Sequence, residues 1–471
     1  MLLDGKRVWL GTRLAIATLI LCARFGPAAL AEHAYAAQSA SHAVQSVSRT
    51  AQSLSYAAQS LSHTAQSPSR AQPYSLPPEK LRQAVVLGVI RPVLSFGAEF
   101  GQVAALWLLL ASGTAARLAD WVSARSSRAW VQSAIYSALL IALLFLVVNL
   151  TTDAVGHVFS LRYGISIEPW PAWLLDQAKT LGLTICLETP AIMLAYGLMR
   201  WRWSRKRYWL WFATAAVPVT ILGTFLLPSL IDPMFNEFEP LVQSHPALVA
   251  QLERVVERTG TSIPPERMYL MKASEKTTGL NAYVTGIGAS KRIVVWDTTA
   301  DRMPTDEILF TFAHESGHYV LHHIPQGLAF GCVGMFAFFW TAARLAEWFV
   351  RRFGAKWRVA EVASLPGLAV LVLAVSALQI AAEPIGNAFS RHIEHEADVY
   401  GQEAIHGLVA DPQKTAVASF NRLGEAYLDA PNPNPFIVFW TYNHPSTQSR
   451  AEFAAHYDPW APGRKPRFFS K

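Results

Sequence analysis

The stretch TFAHESGHYVLHH, Thr311 to His323, sets histidines and a glutamate inside an apolar run. On a helix His314, His318 and His322 recur at i, i+4 and i+8 and share one face, with Glu315 about 100° round from His314. Two imidazoles four residues apart can meet one metal ion, and the glutamate between them can take a proton from a metal-activated water. Gly317 costs ~1 kcal/mol in a helix interior, so its presence predicts a close approach of backbone or substrate there.

Two histidines need at least one more protein ligand. SRHIEHEAD, residues 390–398, offers Glu394 and Asp398 at i and i+4 on one helical face, with His395 beside them. A set of two histidines and one carboxylate that leaves a position open suits hydrolytic zinc, which favours Glu394 over its rival His395. Asp398 is then placed to orient a ligating imidazole through its free N–H. His392 and Glu396 read as solvated. All three cysteines, Cys22, Cys186 and Cys332, lie in apolar segments, which excludes a disulfide framework and a cysteine-ligated zinc site.

These residues must be held by membrane elements. Of 471 residues 52% are apolar and only 15% charged, and the apolar residues come in blocks near 90–111, 130–150, 180–199, 208–230, 326–350 and 366–388. Each block approaches the ~20 residues needed to cross a bilayer, so the chain reads as an integral membrane protein with six spans. Arg91, Glu99, Glu188 and Glu383 fall in or beside spans, where charge in lipid is costly and seeks a wet interior. Pro190 should break the third span. The net charge of +7 does not mark a nucleic-acid face, because the basic residues gather in three short loops around Arg117–Arg128, Arg200–Arg207 and Arg351–Arg358. Those loops share one side, which the positive-inside rule makes cytoplasmic. The expected location is a bacterial inner membrane with segments 232–325 and 389–471 facing the periplasm.

The N-terminal part agrees with that orientation. Residues 1–31 read as a signal peptide or N-terminal anchor, with Lys6, Arg7 and Arg13 ahead of a short apolar run. Residues 32–75 carry Gln-Ser every seven residues, at Gln38, Gln45, Gln52, Gln59 and Gln66, and read as a disordered Ser-rich tract. Membrane helices follow in 76–231, then a polar segment 232–325 with the HESGH helix, a transmembrane hairpin 326–388, and a second polar segment 389–471 with the third ligand. Within the first polar segment RMYLM, NAYVTG and RIVVWDT read as a small antiparallel sheet. Thr305 is placed to cap the HESGH helix, with Asp306 and Glu307 in its first turn.

HESGH, a pair of apolar spans and SRHIEHEADVYG in that order resemble the integral-membrane zinc endopeptidases typified by the type 1 CAAX prenyl protease. PSLIDPMFNEFEPL, NAYVTG, KRIVVWDTT and NHPSTQSR carry the resemblance further, from about Leu76 to about Phe453. It implies a mainly α, polytopic fold, a helical barrel of six to seven transmembrane helices around a chamber, with a catalytic domain that contains a small β-sheet. It implies Zn²⁺ held by His314, His318 and Glu394, Glu315 as catalytic base, and Asp398 behind the ligands. It further implies Asn281 and Tyr283 on an edge strand that binds extended substrate, and His444 as a stabiliser of the tetrahedral oxyanion. The expected partners are a peptide or protein substrate, of CAAX type or a misfolded membrane or envelope protein, and membrane lipid, with no nucleic acid. A noncatalytic membrane chaperone or scaffold with a metal-stabilised site is the alternative.

Overall fold

The computed structural model describes residues 73–200, 207–286 and 291–469. The signal segment and the Gln-Ser repeat lie outside the described residues. Among the described residues six helices are long and apolar enough to cross a membrane. In chain order the first elements are α1 (Pro78–Ala111), a short α2 (Thr114–Ser123), and α3 (Ala129–Leu144) continuing into α4 (Leu150–Arg162) as one span. Next come α5 (Trp170–Arg200) and α6 (Tyr208–Phe235). Pro190 does not end α5, which runs unbroken through it; a proline is tolerated in a membrane helix when neighbouring groups satisfy the freed backbone.

The polar segment opens with β1 (Phe238–Pro240), α7 (Leu241–Ser244), α8 (Pro246–Thr259) and β2 (Met268–Met271). It continues with β3 (Ala282–Thr285), β4 (Arg292–Trp296), α9 (Asp297–Arg302) and α10 (Thr305–Val320). The chain then re-enters the membrane as α11 (His323–Trp357) and α12 (Gly367–Ala404), and ends its described part with α13 (Pro412–Tyr427), α14 (Pro435–Thr441) and α15 (Thr447–His456). The spans pack as a ring: α1 on α4, α3 on α5, α5 on α6, α6 on α11, α11 on α12, and α12 back on α1. This closure makes a helical barrel.

The expected charges near the spans find partners at its rim and wall. Arg91 approaches Asp429 and donates to the Tyr427 carbonyl at 2.6 Å. The carboxyls of Glu99 on α1 and Glu383 on α12 face each other, and Oε2 of each is buried without a hydrogen-bond partner.

The sheet corrects one expectation. It is mixed, in the order β1-β2-β4-β3: β2 and β4 run parallel, while β1–β2 and β3–β4 are antiparallel. The three strands read from the sequence are present, but β4 returns between β2 and β3, and this leaves β3 on an edge. β1, hidden in a run of mixed polarity, has no alternation long enough to announce it.

A second apolar core beneath the sheet joins Met268, Leu270, Ile293 and Val295 to Ile308, Leu309, Phe310 and Phe312 of α10, and to Tyr400 and Ala404 of α12. Helix α10 starts after Pro304, without a side-chain cap from Thr305. Its first-turn acids complement the helix dipole, and one of them, the buried Glu307, grips Arg422 of α13 with two hydrogen bonds of 2.6 and 3.1 Å.

Candidate metal centre

Helices α10 and α12 cross with almost no space between them. A Cβ on Gly317 would meet the Tyr400 side chain at 3.0 Å, and one on Gly401 would meet the His314 backbone nitrogen at 2.9 Å. Gly317 is therefore explained by the Tyr400 ring of α12. This contact sets the two helices close enough for side chains remote in sequence to share one point.

At that point His314 Nε2 lies 3.2 Å from His318 Nε2 and 3.2 Å from Glu394 Oε2, and His318 Nε2 lies 3.6 Å from Glu394 Oε1. A tetrahedral ion with bonds of ~2.0–2.1 Å spaces its ligand atoms about 3.3 Å apart. Among the described residues this is the group of three or more ligand-type side chains close enough to hold a metal ion. His314 and Glu394 are buried, and Glu394 Oε2 has no hydrogen-bond partner of its own. An unsatisfied buried carboxylate oxygen facing two imidazole nitrogens is costly unless a cation joins them, so the donor set fits a metal. His395, the rival ligand, points away and packs its exposed ring edge-on to Phe453 at 4.6 Å.

Behind the donors, Asp398 Oδ1 lies 2.9 Å from His314 Nδ1, and Arg450 of α15 clasps both Asp398 oxygens at 2.6 and 2.9 Å. Arg450 escaped the sequence reading; an ion pair across 52 residues leaves no local signal.

The four-residue rhythm of the histidines also fails at its third beat. Helix α10 stops at Val320 and His322 turns left-handed, with φ of 59°, so His322 is exposed. The buried His323 takes its place, with Nδ1 3.1 Å from His318 Nδ1.

The family model for peptidase family M48 matches residues 242–458, and that for the CAAX prenyl protease N-terminal region, described as five membrane helices, matches 58–237. The uncharacterized metalloprotease YhfN of Bacillus subtilis is 32% identical over 348 residues, 74% of this chain and 79% of that one. The chain belongs to peptidase family M48. CAAX prenyl protease 1 of Saccharomyces cerevisiae is 26% identical over 327 residues, 66% of this chain and 69% of its own. The crystal structure of Ste24p from S. mikatae superposes with a TM-score of 0.70 at 21% identity, covering 94% of this chain and 99% of that one, and shows the same fold. The protein is thus an integral-membrane M48 metalloprotease.

In this M48 protein Glu315 sits half-buried on α10 beside the two histidines, within electrostatic reach of Arg450 and Tyr319. Tyr319 donates to the Gly286 carbonyl at 3.0 Å and so ties α10 to the end of edge strand β3. Asn281, just before β3, has its backbone N–H and carbonyl engaged by Thr299 and Trp296. Tyr283 directs its hydroxyl to Asp232 at 3.3 Å. His444 reaches in from the loop before α15: its Nε2 is 3.2 Å from Glu394 Oε2, and its Nδ1 is 2.8 Å from Asn443 Oδ1. Arg391 donates to backbone carbonyls at the end of α14, those of Val438 and Tyr442.

The electrostatics of the site are uneven. Burial pushes His318 down to about 3, so the neutral ring offers the lone pair of one nitrogen to a metal. Burial also opposes charge on His314, but the nearby carboxylates of Asp398 and Glu394, which favour the protonated ring, outweigh it and raise that imidazole to about 10.

Proposed function

We propose that this M48 protein is a zinc-dependent endopeptidase in which His314, His318 and Glu394 hold the ion and Glu315 is the general base. The observation that carries the reading is the 3.2–3.6 Å spacing of three donor atoms from two helices brought together around a membrane hairpin. Bound there, zinc would polarise a scissile carbonyl and make water nucleophilic near neutral pH. Asp398 fixes the His314 ring through Nδ1, with Arg450 holding its carboxylate in place. Glu315, one residue from His314 on the same helix, accepts the proton of the attacking water and returns it to the departing amine. His444 offers an N–H toward the oxyanion that forms on the former carbonyl.

Among the described residues β3 is an edge strand, paired with β4 on one side, which favours an extended peptide added as a further strand, with Asn281 and Tyr283 alongside it. The yeast relative's name makes a CAAX peptide one candidate substrate. The basic loops on the opposite side of the membrane favour a site facing away from the cytoplasm, and so a misfolded membrane or envelope protein. Alkaline-phosphatase fusions after residues 205 and 290 test that orientation; activity at 205 alone would reverse it.

The decisive experiment is Glu315→Gln. The purified variant should keep one equivalent of zinc by elemental analysis and lose cleavage of an unfolded polypeptide and of a farnesylated peptide alike. Full turnover by the variant would remove Glu315 from its role. Zinc-loaded wild-type protein without any peptidase activity would favour a noncatalytic scaffold.

A further inference from the structure

The two metal-facing imidazoles of α10 are supported in parallel ways. His314 leans on Asp398, and Asp398 on Arg450. On the other side, His318 Nδ1 meets His323 Nδ1 at 3.1 Å, His323 Nε2 faces Glu396 Oε2 at 3.5 Å, and Glu396 Oε1 is bonded by Arg467. All three acidic residues, Glu394, Glu396 and Asp398, come from one stretch of α12.

The tautomers along this second line are determined by the first atom. When His318 Nε2 faces the ion, Nδ1 must carry the proton. His323 Nδ1 can then only accept, so the His323 proton sits on Nε2 and points at Glu396. The ring of His323 is buried, with 1% of its side chain exposed, so it has no water to replace these partners. Arg467, half-exposed, neutralises the far oxygen of Glu396.

The segment bearing Arg467 is fastened separately. Glu403, fully buried on α12, accepts backbone N–H bonds from Arg467, Phe468 and Phe469 at 2.6, 2.7 and 3.1 Å, and a hydroxyl bond from Tyr457. Charge-assisted bonds of this kind are about twice as strong as neutral ones. Phe468 and Phe469 lie 5.7 and 5.0 Å from the Tyr400 ring, the same ring that covers Gly317 of α10. The 464–469 segment therefore touches the metal-bearing helix crossing twice, once through charge and once through packing.

We propose that His323, Glu396 and Arg467 form a positioning relay for His318, so that the 464–469 segment, far from the HESGH motif in sequence, sets how firmly the enzyme keeps its metal. The inference rests on the metal-site reading given above. His323 is a positioning residue, acting on the ion only through His318, and Arg467 acts through Glu396.

The test is metal release from the full-length protein in detergent, loaded with Zn²⁺ and challenged with a colorimetric chelator, alongside thermal unfolding of the chelator-treated protein. Loss of an outer partner of a metal-bound histidine typically lowers affinity 10–100-fold. His323→Ala and Glu396→Ala should release zinc faster by about that factor, and His323→Gln, whose amide oxygen can still accept from His318, should recover part of the difference. Arg467→Ala leaves the Glu403 anchor intact and should speed release by less than about tenfold, as expected for a half-exposed ion pair. Arg464→Ala, a charge loss on the same segment, should release zinc as the wild type does. A role confined to stability would lower the unfolding temperature of the metal-free variants and leave the release rate unchanged, and that result overturns the relay. Wild-type release by Arg467→Ala alone severs the 464–469 segment from it. Wild-type protein that takes up no zinc defeats the metal-site reading itself, a different failure from either.

Discussion

Gly401→Ala tests the helix crossing on which the site depends. The new methyl group would stand 2.9 Å from the His314 nitrogen, 3.1 Å from its Cα and 3.2 Å from its Cβ, all on the opposing helix. Carbon contacts are comfortable from ~3.5 Å, so α10 and α12 must part by about 0.5 Å. Overpacking of this kind costs about 1–3 kcal/mol, against a gain of about 1 kcal/mol from alanine's helix preference. The larger effect is on the site, because Glu394 and Asp398 ride on α12 while both histidines ride on α10. A misplacement of 1 Å can cost 10²-fold in rate, so half that argues for about a tenfold loss of turnover, with faster metal release. Gly386→Ala is the matched control: it lies on the same helix and its methyl would meet nothing within 4 Å. It should therefore be as active as wild type and slightly more stable. Peptide hydrolysis, zinc content and thermal unfolding, measured on both variants, decide the matter. A Gly401→Ala protein that matches Gly386→Ala in all three would show that the crossing does not hold the ligands in register.

Four further outcomes follow from the same geometry. Asp398→Asn leaves Arg450 without its counter-charge in a buried place, so it should destabilise the protein by about 3–5 kcal/mol and weaken metal retention 10–100-fold; elemental analysis after dialysis against chelator reads this out. His444→Ala should keep its zinc and lose about 10²–10³ in kcat with little change in KM, as expected for removal of an oxyanion donor; a change in KM alone would reassign the residue to substrate binding. Tyr319→Phe removes the bond to Gly286, worth about 1 kcal/mol, and should raise KM for an extended peptide about fivefold by loosening β3, with zinc content unchanged. In the metal-free protein His314 is raised to about 10, above the ~6.5 of an unfolded histidine. Its contribution to stability is therefore fully present below pH ~6.5 and is lost as pH rises toward 10. Zinc must displace that proton, so apparent zinc affinity should climb by up to about tenfold per pH unit across the same window. A pH-independent affinity from competition titrations would mean that His314 is not protonated before the ion arrives.

Local chemistry made much of this legible before any fold was known. HESGH requires only helical periodicity to face two imidazoles one way, and Glu394 and Asp398 need the same periodicity on α12. The six spans are long apolar runs, and periodicity of that length survives any tertiary detail. Three strands announced themselves through β-branched clusters. What remained hidden depends on chain reversal or on distance. His323 replaces His322 because a single left-handed residue after α10 resets the helical phase, and no propensity forecasts that. The parallel pairing of β2 and β4 depends on β3 folding outward, a topological choice invisible in any one strand. Arg450 and Arg467 lie in polar stretches where an arginine is ordinary, and only the fold sets them against Asp398 and Glu396. Gly317 within a helix signals a close approach, but the residue that makes the approach, Tyr400, is 83 positions away.

The division of the centre along the chain has a consequence for biogenesis. His314 and His318 are synthesised before the fifth span helix, Glu394 in the last third of the sixth, and His444 and Arg450 later still. A ribosome that has translated the first two ligands has made a helix with nothing to close around. With the proposed ligand set the nascent protein would hold no complete site while it is being threaded into the bilayer, and would gain one only once both halves stand on the same face of the membrane.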